Sequence, residues 1–452
     1  MNIIIAGDGE VGSTLTRQLT AEGHDVTIID SDPRVLETSQ EEFDVMSVQG
    51  NCAAMDVLLQ AGVKDAELLI AVTNADEINL LCCATAHGIN KKLHTIARIR
   101  NPEYTRQMAA FRELFGLSLS INPEHMAAIE IERLLQYPGF LKRDSFADGR
   151  TEIVELRVDA ASKLCNVALM DLNSIVKCRV LVCAVLRGGN AVAPRGNFVL
   201  REGDRIFVTA PAQNLTTLLK NLGIITRRVR RVMLCGGGKV SHYLATLLED
   251  NGIGVSIIEH DYHRCQHLAA VLPGCTVVHG DSTDQPLLES EGLSSADAMV
   301  SLTGLDELNM IISLYGGSRG VPQVITKLSR MENRSMVDSL GLGSVVCPKE
   351  LCCNTIARYV RAMQNHSGAA ISVHSIADGQ AEAVEFLVDD DTRFCDTPLK
   401  DIKLKPNVLV VSIDSKHQTE IPSGESKFRK GDIVVVVTSG QGTIRQLNDI
   451  FA

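Results

Sequence analysis

Three glycines at 7, 9 and 12 lie in the run Gly7-Asp8-Gly9-Glu10-Val11-Gly12, and a carboxylate follows at Asp30. These residue types at this spacing suit a nucleotide pyrophosphate. The first glycine permits a tight turn, the second lets backbone approach phosphate oxygens, and the third lets a helix pack close to a strand. Free N–H groups at the start of that helix, with the positive end of its dipole, attract phosphate. Asp30, 18 residues beyond Gly12, is placed to accept hydrogen bonds from ribose hydroxyls. Its charge repels a 2′-phosphate, so NAD or a plain adenosine nucleotide is favoured over NADP.

The flanking elements turn this weak motif into a specific one. Residues 3–6 are an apolar run of strand length. Leu15 and Leu19 keep helical spacing until Gly23, which suits a helix end, and residues 25–30 form a second strand ending in the carboxylate. Strand-like runs continue at 45–48, 68–72, 93–99 and 117–121, with helical patterns at 53–61, 76–87, 102–115 and 124–136. Six strands alternating with helices predict a doubly wound parallel sheet, α/β and Rossmann-like. Its strand ends bring Asn51, Thr73, Asn74 and Arg98 to the ligand crevice. Arg98 can pair with phosphate oxygens or with a surface carboxylate, and Asn74 can also cap the helix that follows.

The pattern then repeats. Residues 231–235 lead into Gly236-Gly237-Gly238-Lys239-Val240-Ser241, and both Gly236 and Glu259 stand 229 residues after Gly7 and Asp30. Asp281 follows Asn51, and Thr303 follows Thr73, at an offset of 230. Residues 148–155 are echoed by 378–385, and Gly203-Asp204 by Gly431-Asp432, each within a β-rich segment of about 80 residues. Each such segment reads as a small α+β domain. The expected domains are 1–137 and 230–364 for the nucleotide folds, and 143–226 and 368–452 for the small ones. Linkers are expected near 138–148, 226–231 and 365–368, the second carrying four arginines in residues 227–231.

Bulk properties narrow the class. The net charge is −11 over 452 residues, so no nucleic-acid partner is expected. The opening residues lack the pattern of a secretory signal, and no apolar run is long enough to span a bilayer, so a soluble intracellular protein is expected. The 13 cysteines include no C-x-x-C pair and read as reduced core thiols. His260, His263 and His267 share helical spacing, but no further ligand group accompanies them, and no metal is expected.

Beyond these readings, the chain resembles the family of peripheral nucleotide-binding regulatory subunits of Trk potassium uptake systems. These are built from tandem units regulating potassium conductance, each an RCK-N followed by an RCK-C domain. The resemblance covers essentially the whole chain and rests on the N-terminal glycine motif, Ala71-Val72-Thr73-Asn74 with Asp76-Glu77, Ala97-Arg98-Ile99-Arg100, and the two Gly-Asp pairs. It implies binding of NAD(H) or ATP/ADP, a membrane-embedded Trk channel-like partner, a dimer or tetramer, and a place on the cytosolic face of the inner membrane. By position, residues 7–12 would hold phosphates, Asp30 the ribose, and Asn51 the base or adenosine edge.

The second copy departs from the pattern. Ser241 replaces the third glycine, Gly304 replaces Asn74, and Lys327 stands where Arg98 stood, while Lys239 adds a cation to the loop and Glu259 keeps the ribose carboxylate. A catalytic acid–base constellation is not visible, so a regulator is expected rather than an enzyme. An NAD-dependent oxidoreductase and a nucleotide sensor for another partner stay open as alternatives.

Overall fold

A computed structural model describes the chain except residues 106, 137–139, 148, 161, 212–213, 223–228, 330–339, 341–342, 365–369, 416–417, 440–443 and 445. The linker expected at 365–368, and Arg227 and Arg228 of the arginine run, lie outside the described residues.

The first sheet contains β1 (Asn2–Ala6), β2 (Asp25–Asp30), β3 (Met46–Gln49), β4 (Leu68–Ala71), β5 (His94–Arg98) and β6 (Leu119–Ile121), in the order β3-β2-β1-β4-β5-β6. All neighbouring pairs are parallel. Helices cover both faces, which is why the strands read as unbroken apolar runs rather than alternating ones. The crossovers include α1 (Glu10–Ala21), α2 (Pro33–Glu42), α3 (Met55–Gln60) and α4 (Asp76–Ile89). The helix expected over 102–115 is two pieces, α5 (Pro102–Thr105) and α6 (Met108–Phe115), because Gln107 leaves helical geometry at φ −101°, ψ 6°. After β6, α7 (Pro123–Gln136) leads out of the sheet.

The chain enters the first small domain through β7 (Lys142–Phe146), inside the stretch expected to be a linker. The polar look of this segment is misleading. Arg143 makes two bonds of 3.0 Å to the buried Glu152, and Ser145 donates to the same carboxylate. Phe146 is buried. The polar residues thus satisfy a buried charge on the neighbouring strand instead of facing water. β7 edges an antiparallel sheet with β8 (Thr151–Arg157), β9 (Leu181–Arg187), β10 (Asn190–Val192) and β11 (Arg205–Pro211), ordered β10-β9-β11-β8-β7. Helices α8 (Leu172–Val176) and α9 (Leu215–Leu222) pack on it.

The second half repeats both architectures. The parallel sheet holds β12 (Arg231–Cys235), β13 (Gly254–Glu259), β14 (Thr276–His279), β15 (Ala298–Ser301), β16 (Gln323–Lys327) and β17 (Ser344–Val346), ordered β14-β13-β12-β15-β16-β17. Its helices are α10 (Lys239–Asp250), α11 (Tyr262–Val271), α12 (Gln285–Ser290), α13 (Asp306–Ser318) and α14 (Pro348–Gln364). The second small sheet orders β18 (Ala370–Ile376), β19 (Ala381–Leu387), β20 (Val408–Asp414), β21 (Thr419–Glu420) and β22 (Ile433–Ser439) as β18-β19-β22-β20-β21. The fold is thus two Rossmann-like sheets and two antiparallel small sheets.

Two compact units divide the chain. One comprises Met1–Ile129 with Lys239–Leu244 and Cys347–Ala357. Within it, the first turns of α10 dock on the first sheet's loops: the Tyr243 hydroxyl accepts from Asn122 at 2.9 Å and donates to the Arg100 carbonyl at 3.2 Å. The other unit holds Glu130–Gly238, Ala245–Val346 and Arg358–Ala452. In it, Phe146, Ile153 and Phe207 of the first small domain share one buried cluster with Ala383, Val411 and Val435 of the second. Each small sheet therefore finds its apolar partner within the same chain. Among the described residues, no helix is long and apolar enough to cross a membrane.

Candidate nucleotide sites

The first candidate site lies at the carboxyl edge of β1 and β4, where the strand order reverses. Gly7 sits at φ +96°, and a Cβ there would come within 2.8 Å of the Thr73 nitrogen. A Cβ on Gly12 would lie 2.0 Å from the Gly7 carbonyl oxygen. The outer two glycines therefore bring the loop, α1 and the end of β4 into contact. Gly9 is different: a Cβ there would meet nothing within 4 Å, so its backbone faces open space. Gly9 is also the N-cap of α1 and supplies no side-chain cap. Helix α2, by contrast, is capped by Asp32, and α11 by Asp261. The amides of Glu10, Val11 and Gly12 open α1 at the position that suits phosphate.

Asp30 has a second task that the spacing did not reveal. Its Oδ2 accepts the Asp8 amide at 2.7 Å and its Oδ1 the Asp32 amide at 2.9 Å, so the carboxylate holds both loops that border the crevice. Each oxygen keeps a further lone pair for a ribose hydroxyl. Asn51 is exposed and folds its Oδ1 back onto the Ala53 amide at 3.0 Å, shaping the turn after β3.

Asp8 is only 3% exposed, and Ser39 of α2 donates to its Oδ2 while its Oδ1 has no partner. Burial pushes its carboxyl up to about 6, opposed by the Ser39 bond and aided by the nearby Asp30 charge. Phosphate beside this loop favours the protonated acid. A raised acid pKa means the neutral form is the stabilised one, so folding loses stability as pH rises from the ordinary carboxyl range toward about 6, and phosphate binding weakens as the free acid ionises above about 6. Asp8→Asn is therefore expected to bind ADP more tightly than the parent at pH 8, with the advantage fading below pH 5. Calorimetric titrations at the two pH values check this.

At β4, Thr73 and the buried Asn79 form a clamp. Asn79 Oδ1 accepts the Thr73 amide at 2.9 Å and hydroxyl at 2.7 Å, and its Nδ2 donates to the carbonyls of Thr73 and Arg98 at 3.1 and 2.9 Å. Arg98 is 8% exposed and turns inward, donating to the Thr73 carbonyl at 2.7 Å and to Asn74 Oδ1 at 3.2 Å. Neither reading of Arg98 as an open phosphate ligand or as a surface ion pair describes this geometry. It braces β4 against β5, and burial holds its pKa below the ordinary guanidinium value. Asn74 does not cap α4; Ala75 occupies the N-cap without a side-chain bond. Asn79→Ala is expected to cost about 1–2 kcal/mol by leaving buried polar groups unpaired. Urea unfolding followed by circular dichroism measures it.

Asn79 was not among the residues anticipated for the site. Its signal was present, a buried-face asparagine on an apolar helix that recurs at the same offset as Asn309. Asn309 makes the same set of bonds to Thr303 and to the Lys327 carbonyl. Lys327 Nζ reaches the Thr303 carbonyl at 2.7 Å, repeating the bracing role of Arg98.

The second glycine loop keeps the frame and changes the lining. Gly236 is at φ +108°, and Gly238 opens α10 without a side-chain cap. Lys239, Val240 and Ser241 form its first turn, with Val240 and Ser241 buried. Glu259 is 2% exposed, accepts the Gly237 amide at 2.7 Å and the Asp261 amide at 2.8 Å, and has His260 Nδ1 2.9 Å away. Where the first site holds the polar pair Asp8 and Ser39, the second holds Gly237 and Leu268; a Cβ on Gly237 would lie 2.6 Å from Leu268 Cδ1. Asp281 Oδ1 accepts the Thr283 amide and hydroxyl, each at 2.8 Å, and so repeats the turn-forming role of Asn51.

Comparison with known proteins agrees with this architecture. The TrkA-N domain matches residues 3–123 and 232–348, and the TrkA-C domain residues 153–223 and 383–452. The Trk system potassium uptake protein TrkA of Vibrio alginolyticus is 29% identical, over 100% of this chain and 98% of its own length. A TrkA homolog from Archaeoglobus fulgidus is 32% identical over 100% of both chains. The fold is shared with the GsuK channel bound to NAD, at a TM-score of 0.61 and 17% identity over 97% of this chain and 77% of that one. The GsuK channel bound to ADP gives 0.50 and 15%, over 80% and 70%. The chain belongs to the TrkA family, with a TrkA-N and TrkA-C domain pair in each half.

Proposed function

We propose that this protein is a cytosolic regulatory subunit that binds adenine nucleotide or NAD(H) and sets the gate of a membrane potassium uptake channel. The observation that carries the nucleotide reading is the open Gly9 backbone at the uncapped start of α1, flanked by the Asp30 carboxylate. Gly7 to Gly12 would hold the phosphates, Asp30 the adenosine ribose, and Asn51 the adenosine edge. Gly236 to Ser241, Glu259 and Asp281 would do the same in the second half, with Thr303 and Lys327 holding its floor. The working units are residues 1–137, 143–226, 230–364 and 368–452, assembled as a homo-oligomer beneath the membrane partner.

The relatives' names as Trk potassium uptake proteins and the NAD- and ADP-bound GsuK channels support this reading. A bound nucleotide shifts a gate only by its different affinity for the open and closed states. The role needs no chemistry on the nucleotide. Calorimetry of the full chain with ADP and with NADH is expected to give saturable binding, and NADH absorbance is expected to stay constant over hours. Absence of binding by any of ADP, ATP and NADH would remove the proposal.

A further inference from the structure

We propose that the second nucleotide cleft reads a phosphate on the adenosine ribose, and so takes NADP(H), through His260 and Arg264. This deepens the nucleotide reading given above and rests on it. The two ribose carboxylates differ in what engages them. Asp30 is half-buried, and each of its oxygens accepts one amide. Glu259 is 2% exposed. Its Oε2 accepts the Gly237 amide at 2.7 Å and has Arg264 Nη1 3.9 Å away. Its Oε1 accepts the Asp261 amide at 2.8 Å and has His260 Nδ1 at 2.9 Å. The charge of Glu259 is thus engaged by groups of its own chain. A carboxylate so enclosed repels a 2′-phosphate far less than an open one does.

The groups that enclose it reach solvent on their other side. The His260 side chain is 81% exposed and that of Arg264 52%. His260 follows Glu259 directly, and Arg264 stands in the first turn of α11. The guanidinium is charged at every physiological pH and has five donors, so one contact to Glu259 leaves the rest for a phosphate. His279 ends β14, pairs with Glu259 across the sheet, and donates from Nε2 to the His260 carbonyl at 3.0 Å. That bond fixes the His260 backbone at the carboxyl ends of β13 and β14, the edge at which this fold holds an adenosine ribose. Tyr262 is exposed beside it, its ring edge-on to His279 with centroids 5.5 Å apart. An arginine near the ribose carboxylate is the feature that accommodates a 2′-phosphate in Rossmann folds.

The first half shares the backbone frame and lacks this rim. Ser31, Pro33, Val35 and Gln49 stand where the second half has His260, Tyr262, Arg264 and His279. Arg34, the cation of that stretch, is paired with Asp32 at 2.9 Å. One frame with two rims therefore sorts adenosine ligands by their ribose: the half-open Asp30 favours a free 2′-hydroxyl, and the covered Glu259 with its cations favours a 2′-phosphate.

The test titrates the full chain with NADPH and with NADH by calorimetry, the first cleft being blocked by Gly9→Ala. NADPH is expected to bind at least as tightly as NADH. Adding His260→Ala and Arg264→Ala, both at exposed side chains, should weaken NADPH by about tenfold or more and leave NADH within about twofold. In the opposite direction, Ser31→His with Val35→Arg in a Glu259→Ala background should narrow the preference of the first cleft for NADH over NADPH. NADH bound more tightly than NADPH by the Gly9→Ala chain overturns the inference and leaves the nucleotide reading standing. Equal losses for both ligands on removing His260 and Arg264 overturn the roles given to that pair. Binding of neither ligand overturns the nucleotide reading of this cleft, and the inference with it.

Discussion

Asp30→Ala is expected to weaken ADP binding at the first site by about 1.5–3 kcal/mol, or roughly tenfold to 150-fold. Two losses combine. Charge-assisted bonds to the ribose hydroxyls disappear, and the Asp8 and Asp32 amides lose the carboxylate that holds them at 2.7 and 2.9 Å. Asp30→Asn separates the two contributions, because a carboxamide oxygen can keep one amide bond while the charge is gone. The titration is done in a Glu259→Ala background, and an affinity equal to that of the single mutant refutes the role of Asp30. Asp30→Arg should in addition raise tolerance for NADP, since the repelling charge is replaced by a phosphate partner.

Gly12→Ala is expected to abolish ADP binding at the first site and to lower stability by about 3 kcal/mol. The added methyl would sit 2.0 Å from the Gly7 oxygen, which is backbone rather than a side chain that can rotate away. Relief requires α1 to slide from β1, which moves its N-terminal amides off the phosphate position. Gly9→Ala is the companion measurement. Its Cβ meets nothing within 4 Å in the free protein, so stability should hold while the methyl stands where phosphate would approach. A Gly12→Ala chain that melts like the parent and binds ADP normally contradicts the packing argument.

Much of this architecture was legible in the sequence because its signals are local. Gly7 and Gly12 each answer a close backbone approach, Gly9 leaves open space at the start of α1, and Asp30 ends a strand of the expected length. The duplicated landmarks locate the second sheet for the same reason. What stayed hidden depends on which way side chains turn. Arg98 and Lys327 carry charge, and a charge at a strand end suggests a ligand; their bonds to the Thr73 and Thr303 carbonyls make them braces. Asp8 occupies the variable place between two glycines, and only the approach of Ser39 from α2 shows that its carboxyl is buried. β7 has too many polar residues to read as a strand until Glu152, opposite Ser145, is seen bonded to Arg143. The shared core of the two small domains joins residues more than 200 positions apart, a pairing no local pattern encodes.

The asymmetry between the halves bears on regulation. The first glycine loop holds a titratable acid, Asp8, bonded by Ser39; the second half has Gly237 and Leu268 in their places. Protons would therefore act on one site and leave the other as a reference. Two unequal nucleotide sites, as proposed above, would permit graded output, provided each nucleotide discriminates between gate states.

Nucleotide on this chain is proposed to change potassium conduction through a membrane partner. The direct measurement is potassium flux in liposomes holding the Trk membrane subunit, with this chain added and ATP, ADP or NADH supplied in turn. Fluxes are expected to differ among the nucleotides and to lose that difference when Asp30→Ala and Glu259→Ala are combined. Equal flux under every nucleotide, with the chain demonstrably bound to the membrane subunit, would contradict it.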